Sequence, residues 1–598
     1  MERFNFRGFQ RFWAIAQVYW FGDEKWAARK LLVLITLFLL ASTGLSVLFN
    51  NQRGALISAL AAADQDRFWS TVGIYLGVLV VYAPLLAGYT YLRDRLGLAW
   101  RRWLTDWFVD RYFGDRAFYR INQGNQGSQG NQTNSDIQTN GGIDNPDQRI
   151  AEDVRSFTQE SLTLILIVAD SVLTLIAFSS VLWGISQELV AFLLVYAILG
   201  TVMTVGVFGQ PLVKLNFEQL KREANFRFSL VRVRENAEAI AFYQGEGQES
   251  SRVKAQFMEA FDNYKRLIFW QLNLNGFSNA YEFIPFILPA VVVAPAVFSG
   301  EVEVGKVSEA QGAFLQIFFS LNIVVAQFQS LTAFGAGVDR LYDFSNSLAP
   351  IDTPVTSVVS SPADSAEATT IPTPAISTRP TISCEVASTL VLDQLTLQTP
   401  NYQRVLVSDL SLDLPQHSSL LVMGPSGCGK SSLLRAIAGL WNAGSGLIQR
   451  PELKHLLFLP QKPYMVLGTL RQQLLYPYPD TDISDGQLKN VLNQVNLPNL
   501  VERFGGLEAE NEWGDVLSLG EQQRLSFARV LLHQPTYAIL DEATSALDQA
   551  NEEQLYALLK KTGTTYLSVG HRQSLENYHQ QLLRLSDDGT WQFQIQCP

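Results

Sequence analysis

The run Gly424-Pro425-Ser426-Gly427-Cys428-Gly429-Lys430-Ser431 contains the residue types needed to hold a chain of phosphates. Its glycines let successive backbone N–H groups face one point, and a helix opening directly behind them adds its positive N-terminal end. At this spacing Lys430 reaches the β- and γ-phosphates, the Ser431 hydroxyl ligates Mg²⁺, and Ser432 begins the helix. The apolar run Leu420–Met423 in front reads as a buried strand, and Ser432–Leu440 behind it has a helical pattern. The glycines therefore sit in the strand–loop–helix setting that a nucleotide site requires. Cys428 fills a variable slot of the loop and needs no redox role. A second apolar strand, Tyr537–Leu540, ends in Asp541-Glu542. Asp541 is placed to hold Mg²⁺ through water and Glu542 to polarise an attacking water, the two tasks that in-line cleavage of a γ-phosphate needs.

These residues belong to an expected α/β domain over 385–598, in which short β-branched runs alternate with helical patterns. Between the two strands lies Leu517-Ser518-Leu519-Gly520-Glu521-Gln522-Gln523-Arg524, and this run resembles the signature of ATP-binding cassette (ABC) proteins. Further marks occur in order: Gln461 in Leu-Pro-Gln-Lys-Pro, the loop Ser545-Ala546-Leu547-Asp548, and His571 after the strand Thr565–Val569. The resemblance covers the whole soluble half. It implies that Gln461 senses Mg²⁺ and the water, that His571 contacts the γ-phosphate, and that Ser518 and Gly520 close over a nucleotide held by another subunit. One chain then cannot complete its own site, and a dimer, most simply a homodimer, is expected. Leu519 stands where many cassettes have glycine. Tyr402 is the candidate for stacking on adenine, with Thr399 competing for that slot.

The chain has 598 residues, of which 47% are hydrophobic and 17% charged, against about 25% charged in ordinary soluble domains. The deficit lies before residue 340, in six stretches long enough to cross a membrane: 31–49, 70–92, 161–186, 189–213, 272–298 and 311–338. Residues 1–348 are thus expected to form a six-span helical membrane domain in a lipid bilayer. Arg and Lys crowd the first 30 residues and the segment after the second span but are sparse between spans one and two and between five and six, so both termini are expected in the cytoplasm. Residues 122–142, almost all Gln, Asn, Gly, Ser and Thr, read as a disordered polar insertion, and 349–384, rich in Pro, Ser, Thr and Ala, as a linker.

With 45 basic and 56 acidic residues the net charge is −11, which excludes binding of nucleic acid by bulk charge. Three cysteines cannot build a disulfide framework. Six spans exclude a soluble cassette enzyme of DNA repair or translation. A cassette-gated channel or regulator stays open as an alternative.

A narrower resemblance comes from the membrane half. Phe12-Trp13-Ala14-Ile15-Ala16, Tyr19-Trp20 and Glu24-Lys25-Trp26 resemble the entry segment of bacterial SbmA/BacA-like and YddA-like transporters. Asn145–Asp153 (Asn-Pro-Asp-Gln-Arg-Ile-Ala-Glu-Asp) and Asn236–Tyr243 (Asn-Ala-Glu-Ala-Ile-Ala-Phe-Tyr) resemble motifs shared with the peroxisomal fatty-acyl transporters of subfamily D. The resemblance implies an ABC exporter-type fold and ATP-driven transport by alternating access in a bacterial inner membrane. Uptake of a hydrophilic cargo such as cobalamin or a peptide is expected, with export, or a fatty-acyl cargo, as the alternative.

Ionisable groups inside spans are costly and usually face a cavity or a partner. Asp170 and Glu282 are therefore candidates for lining the pathway or relaying protons, with a structural pair near an interface as the plain alternative. Gln316, Ser320 and Gln327 fall on one face if span six is a single helix, and would give the cavity a wet wall.

Overall fold

The computed structural model describes residues 6–128, 146–321, 323, 327–348, 380–479 and 482–596. The chain divides into two compact units, Met1–Pro362 and Ala363–Pro598.

The first unit is helical. Five helical stretches among the described residues are long and apolar enough to cross a membrane: Lys25–Ala61, Gln65–Asn122, Pro146–Trp183, Gln187–Gly209 and Glu246–Phe298. Their outward surfaces carry large apolar side chains such as Val80, Ile176, Leu199 and Ile287, all more than half exposed. A hydrocarbon solvent removes the penalty water would impose on such a surface. The inner faces pack round Trp100, Phe108, Phe157 and Phe344 in one cluster and round Phe178, Phe314 and Phe318 in another.

The described elements run differently from the apolar stretches. Within 311–338 the described helices are Gly305–Leu321 and Phe328–Ser347, with Gln327 ahead of the second at φ −96° and ψ 7°. Whether Gln316, Ser320 and Gln327 share a face turns on residues 322 and 324–326, which lie outside the described residues. Helix continues beyond the apolar stretch 189–213, through Gln210–Glu235 and Ala237–Phe242, and Glu246–Phe298 begins well ahead of the stretch 272–298. Of the insertion 122–142, residues 122–128 complete the helix Ala117–Ser128, and the rest lies outside the described residues, as does most of the linker, 349–379.

The second unit is built on a six-stranded sheet. Its strand order is Trp591–Ile595, Gln581–Leu585, Ser419–Met423, Thr565–Val569, Tyr537–Asp541, Leu456–Leu459. All neighbours are parallel except the first pair. The central strands are continuous apolar runs because both faces are covered, and all five residues of Thr565–Val569 are buried. A four-stranded sheet packs beside it, ordered Ser383–Val386, Gly444–Arg450, Leu390–Gln398, Val405–Leu414.

Candidate ATPase site

Strand order places the chemistry. In a parallel sheet the C-terminal ends of neighbouring strands lie side by side, and ligands bind in the crevice beyond them. Val422, Val569 and Asp541 stand in one row across three adjacent strands, and Leu459 pairs with Leu540 in the fourth. Each of these strand ends leads into a candidate segment: Gly424–Ser431 after the first, His571 after the second, Asp541-Glu542 at the third and Gln461 after the fourth. Four segments far apart in sequence thus deliver their side chains to one edge.

The phosphate loop has the backbone its sequence demands. Gly424, Gly427 and Gly429 have φ of 155°, 86° and 105°, values that side-chain-bearing residues rarely adopt. A Cβ on Gly424 would press on the Leu585 carbonyl and the buried Cys428 sulfur. Pro425 and Ser426 form the loop's outer arm, and Ser432 sits half-buried in the helix Lys430–Ile437. The Lys430 side chain folds back into the loop, where Nζ donates to the carbonyl oxygens of Gly424 at 2.9 Å and Pro425 at 2.8 Å. An ammonium held only by carbonyls among the described residues, in a cradle of N–H groups, fits a polyphosphate.

The Ser431 hydroxyl donates to Asp541 Oδ1 at 3.2 Å. A hydroxyl and a carboxylate side by side, next to the phosphate cradle, suit a hard divalent cation. Burial raises the Asp541 pKa above the usual carboxylate value, and nearby Glu542 adds to the effect against the Ser431 hydrogen bond.

Glu542 is the hub of the candidate hydrolytic residues. Gln461 Nε2 donates to Glu542 Oε2 at 2.8 Å, and His571 Nε2 lies 3.1 Å from Glu542 Oε1. The backbone of Glu542 is left-handed, φ 49°, a conformation that costs about 1 kcal/mol or more outside glycine. Its N–H donates to the Val569 carbonyl at 3.1 Å, which ties the strained residue to the strand leading to His571. A carboxylate braced on both oxygens can accept a proton from a water at the mouth of the crevice.

The signature residues take a different place. Ser518 caps the helix Leu519–His533 and is locked in a capping box: its N–H donates to Glu521 Oε2 at 2.9 Å, and Glu521 N–H donates to Ser518 Oγ at 3.3 Å. Arg503 pairs with the same carboxylate at 2.6 Å. Among the described residues no hydrogen bond joins Ser518 or Gly520 to 424–431. Tyr402 is half-buried on a turn, φ 59°, with its hydroxyl donating to the Pro380 carbonyl at 3.2 Å.

Asp170 and Gln316 are exposed on their helices in the single chain, while Glu282 and Ser320 are half-buried. Next to Glu282 stands a feature that hydropathy could not reveal: Tyr281 stacks on Tyr196 with ring centroids 4.4 Å apart, and each hydroxyl donates to the other's backbone carbonyl. Asp153 is likewise more than its motif suggested. Its buried carboxylate receives Arg149 at 2.9 Å and a two-pronged contact from Arg340 at 2.7 and 3.0 Å.

Comparison with known proteins agrees with this geometry. Residues 15–298 match the family described as ABC transporter transmembrane region 2, and residues 407–545 match that described as ABC transporter. An uncharacterized ABC transporter ATP-binding protein of Synechocystis sp. is 44% identical over 95% of this chain and 82% of its own length. ABC transporter D family member 2, chloroplastic, of Arabidopsis thaliana is 40% identical over 96% of this chain and 86% of its own. The lysosomal cobalamin transporter ABCD4 of Homo sapiens is 31% identical over 99% and 96%. A solved bacterial Atm1-family ABC exporter with ATP bound shares the fold, with a TM-score of 0.68 over 94% of both chains at 19% identity. The resemblance to subfamily D is thereby carried along the whole chain, whereas these relatives lend no support to the SbmA/BacA-like part. The chain is an integral membrane protein and belongs to the ABC transporters, as a half-transporter related to the D family whose cassette binds and hydrolyses ATP to drive transport.

Proposed function

We propose that this chain works as a homodimer in a cytoplasmic membrane, with both termini cytoplasmic, and uses Mg²⁺-dependent ATP hydrolysis to take up a hydrophilic compound of the corrinoid or peptide class. The observation that carries the ATPase part is the bracing of Glu542 by Gln461 and His571. Gly424–Ser432 would cradle the phosphates, with Lys430 as the charged contact. Ser431 and Asp541, assisted by Gln461, would hold Mg²⁺. When bound, that ion supplies neutralisation of the charge that develops on the transferred phosphoryl group. Glu542 orients the water and accepts its proton, Gln461 fixes one carboxylate oxygen, and His571 the other. Ser518 and Gly520 of each chain would complete the site of its partner, and Tyr402 would lie against the adenine.

Support for the cargo class comes from two sides. A relative named as a cobalamin transporter aligns with almost the whole chain. Asp170, Glu282, Gln316 and Ser320 place polar groups on apolar helices, where a polar cargo or a proton has use for them.

The test is an uptake panel of labelled cobalamin, a proline-rich peptide and a fatty-acyl compound, in cells lacking the protein and complemented with wild type or Glu542→Gln. Accumulation of cobalamin or peptide that Glu542→Gln abolishes is the expected result. Fatty-acyl movement alone would overturn the cargo, and flux persisting in Glu542→Gln would overturn the pump in favour of a gated channel.

A further inference from the structure

Gln523 lies within the signature run, yet neither nucleotide chemistry nor helix capping accounts for it. Its side chain is wholly buried. The amide nitrogen donates to the Gln461 carbonyl at 2.9 Å and to Ser545 Oγ at 3.2 Å, while the amide oxygen accepts the Ala546 N–H at 3.0 Å. One amide thus binds two loops at once: that carrying Gln461, whose own side chain reaches Glu542, and that running from Glu542 through Ser545 to Leu547. Because donor and acceptor ends are both engaged, only one orientation of the amide satisfies the set.

The second loop is held from its other side as well. Arg572, next to His571, donates to the carbonyls of Ser545 at 3.2 Å and Leu547 at 3.0 Å, and is anchored on buried Glu552 at 3.2 Å. Gln523 is therefore the member of this network that joins the helix opening at Ser518 to both loops flanking Glu542.

We propose that Gln523 is a positioning residue for ATP hydrolysis, fixing the backbone of Gln461 and the loop 545–547 to the signature helix so that the place of that helix sets how Gln461 meets Glu542. The proposal rests on Gln461 and Glu542 being hydrolytic residues. It makes the arrangement of the helix that serves the partner's nucleotide a condition for hydrolysis in the helix's own chain.

The experiment uses the full chain in lipid nanodiscs and measures ATPase kcat and KM, nucleotide binding and melting temperature. Gln523→Met keeps side-chain length and removes all three hydrogen bonds. Because small misplacements of reacting groups are costly, kcat should fall at least about tenfold. KM for ATP should stay within about twofold, because only the hydrolytic geometry is disturbed. In a Gln461→Ala background the same change should cost less than about threefold, since the two act through one contact. Should Gln523→Met fail to fold, Ser545→Ala, which removes one partner of the amide at an exposed position, is judged by the same non-additivity. A kcat within about twofold of wild type, or full additivity with Gln461→Ala, would overturn the proposal. Glu542→Gln is run in parallel: sustained turnover there would sink the hydrolytic reading itself and is distinguishable from either outcome.

Discussion

Ser431 and Asp541 meet at 3.2 Å although one opens the helix behind the phosphate loop and the other ends a strand two places away in the sheet. A divalent cation between them would give both the hydroxyl and the carboxylate a stronger partner than they give each other. Ser431→Ala and Asp541→Asn should each raise the Mg²⁺ concentration needed for half-maximal ATPase activity at least about tenfold. Metal-free nucleotide binding, read by fluorescence titration, should change little in Ser431→Ala. An unaltered Mg²⁺ titration would remove these residues from the metal site.

Asp153 joins the segment before the third span to the helix Phe328–Ser347 through Arg340. Its side chain is 7% exposed, so it depends on these guanidinium groups in place of water. Arg340→Ala leaves the carboxylate with Arg149 alone and should destabilise the membrane unit by about 2 kcal/mol. Asp153→Asn combined with Arg340→Ala should cost less than the sum of the single changes. Thermal unfolding in detergent reads both, and strict additivity would show that the pair is not coupled.

The Tyr196–Tyr281 clasp closes because Gly200, one turn further on, leaves room: a Cβ there would overlap the Tyr281 ring. Tyr196→Phe and Tyr281→Phe each delete one intramembrane hydrogen bond and should cost about 1 kcal/mol or less. Gly200→Ala should exceed either, because it displaces the ring and both bonds together. A Gly200→Ala variant as stable as wild type would show that the packing gives way at no cost.

His579 supplies a pH dependence. Its ring nitrogens face the Leu575 carbonyl at 2.7 Å and Ser568 Oγ at 2.8 Å, and burial pushes its pKa down from 6.5 to about 4. A depressed histidine favours the neutral form, so its stabilisation is fully present above about pH 6.5 and is lost as pH falls toward 4. The linked loss over that window is about 3 kcal/mol. The melting temperature of the full chain should therefore fall less steeply with acid in His579→Gln than in wild type. Parallel slopes would assign the acid sensitivity to other groups.

Much of the cassette was legible because its motifs are contiguous. Eight consecutive residues, 424–431, specify a loop whose glycine torsions and lysine position follow from local chemistry, and the strands at 419–423, 537–541 and 565–569 match their apolar runs to within a residue. The spans were legible for a similar reason, since a bilayer demands long uncharged stretches whatever the rest of the fold does.

The sequence by itself determined that a phosphate-binding α/β cassette follows a helical membrane domain, since both are written in local patterns of glycine, charge and hydrophobicity. The tertiary structure decided which distant residues share a site. Gln461, Glu542 and His571 converge because the sheet places their strands in neighbouring order, and no periodicity along the chain encodes that order. The same holds for Gln523, Asp153 and the paired tyrosines: each looks like an ordinary helical residue until long-range hydrogen bonds, fixed only by packing, give it partners 22 to 187 positions away.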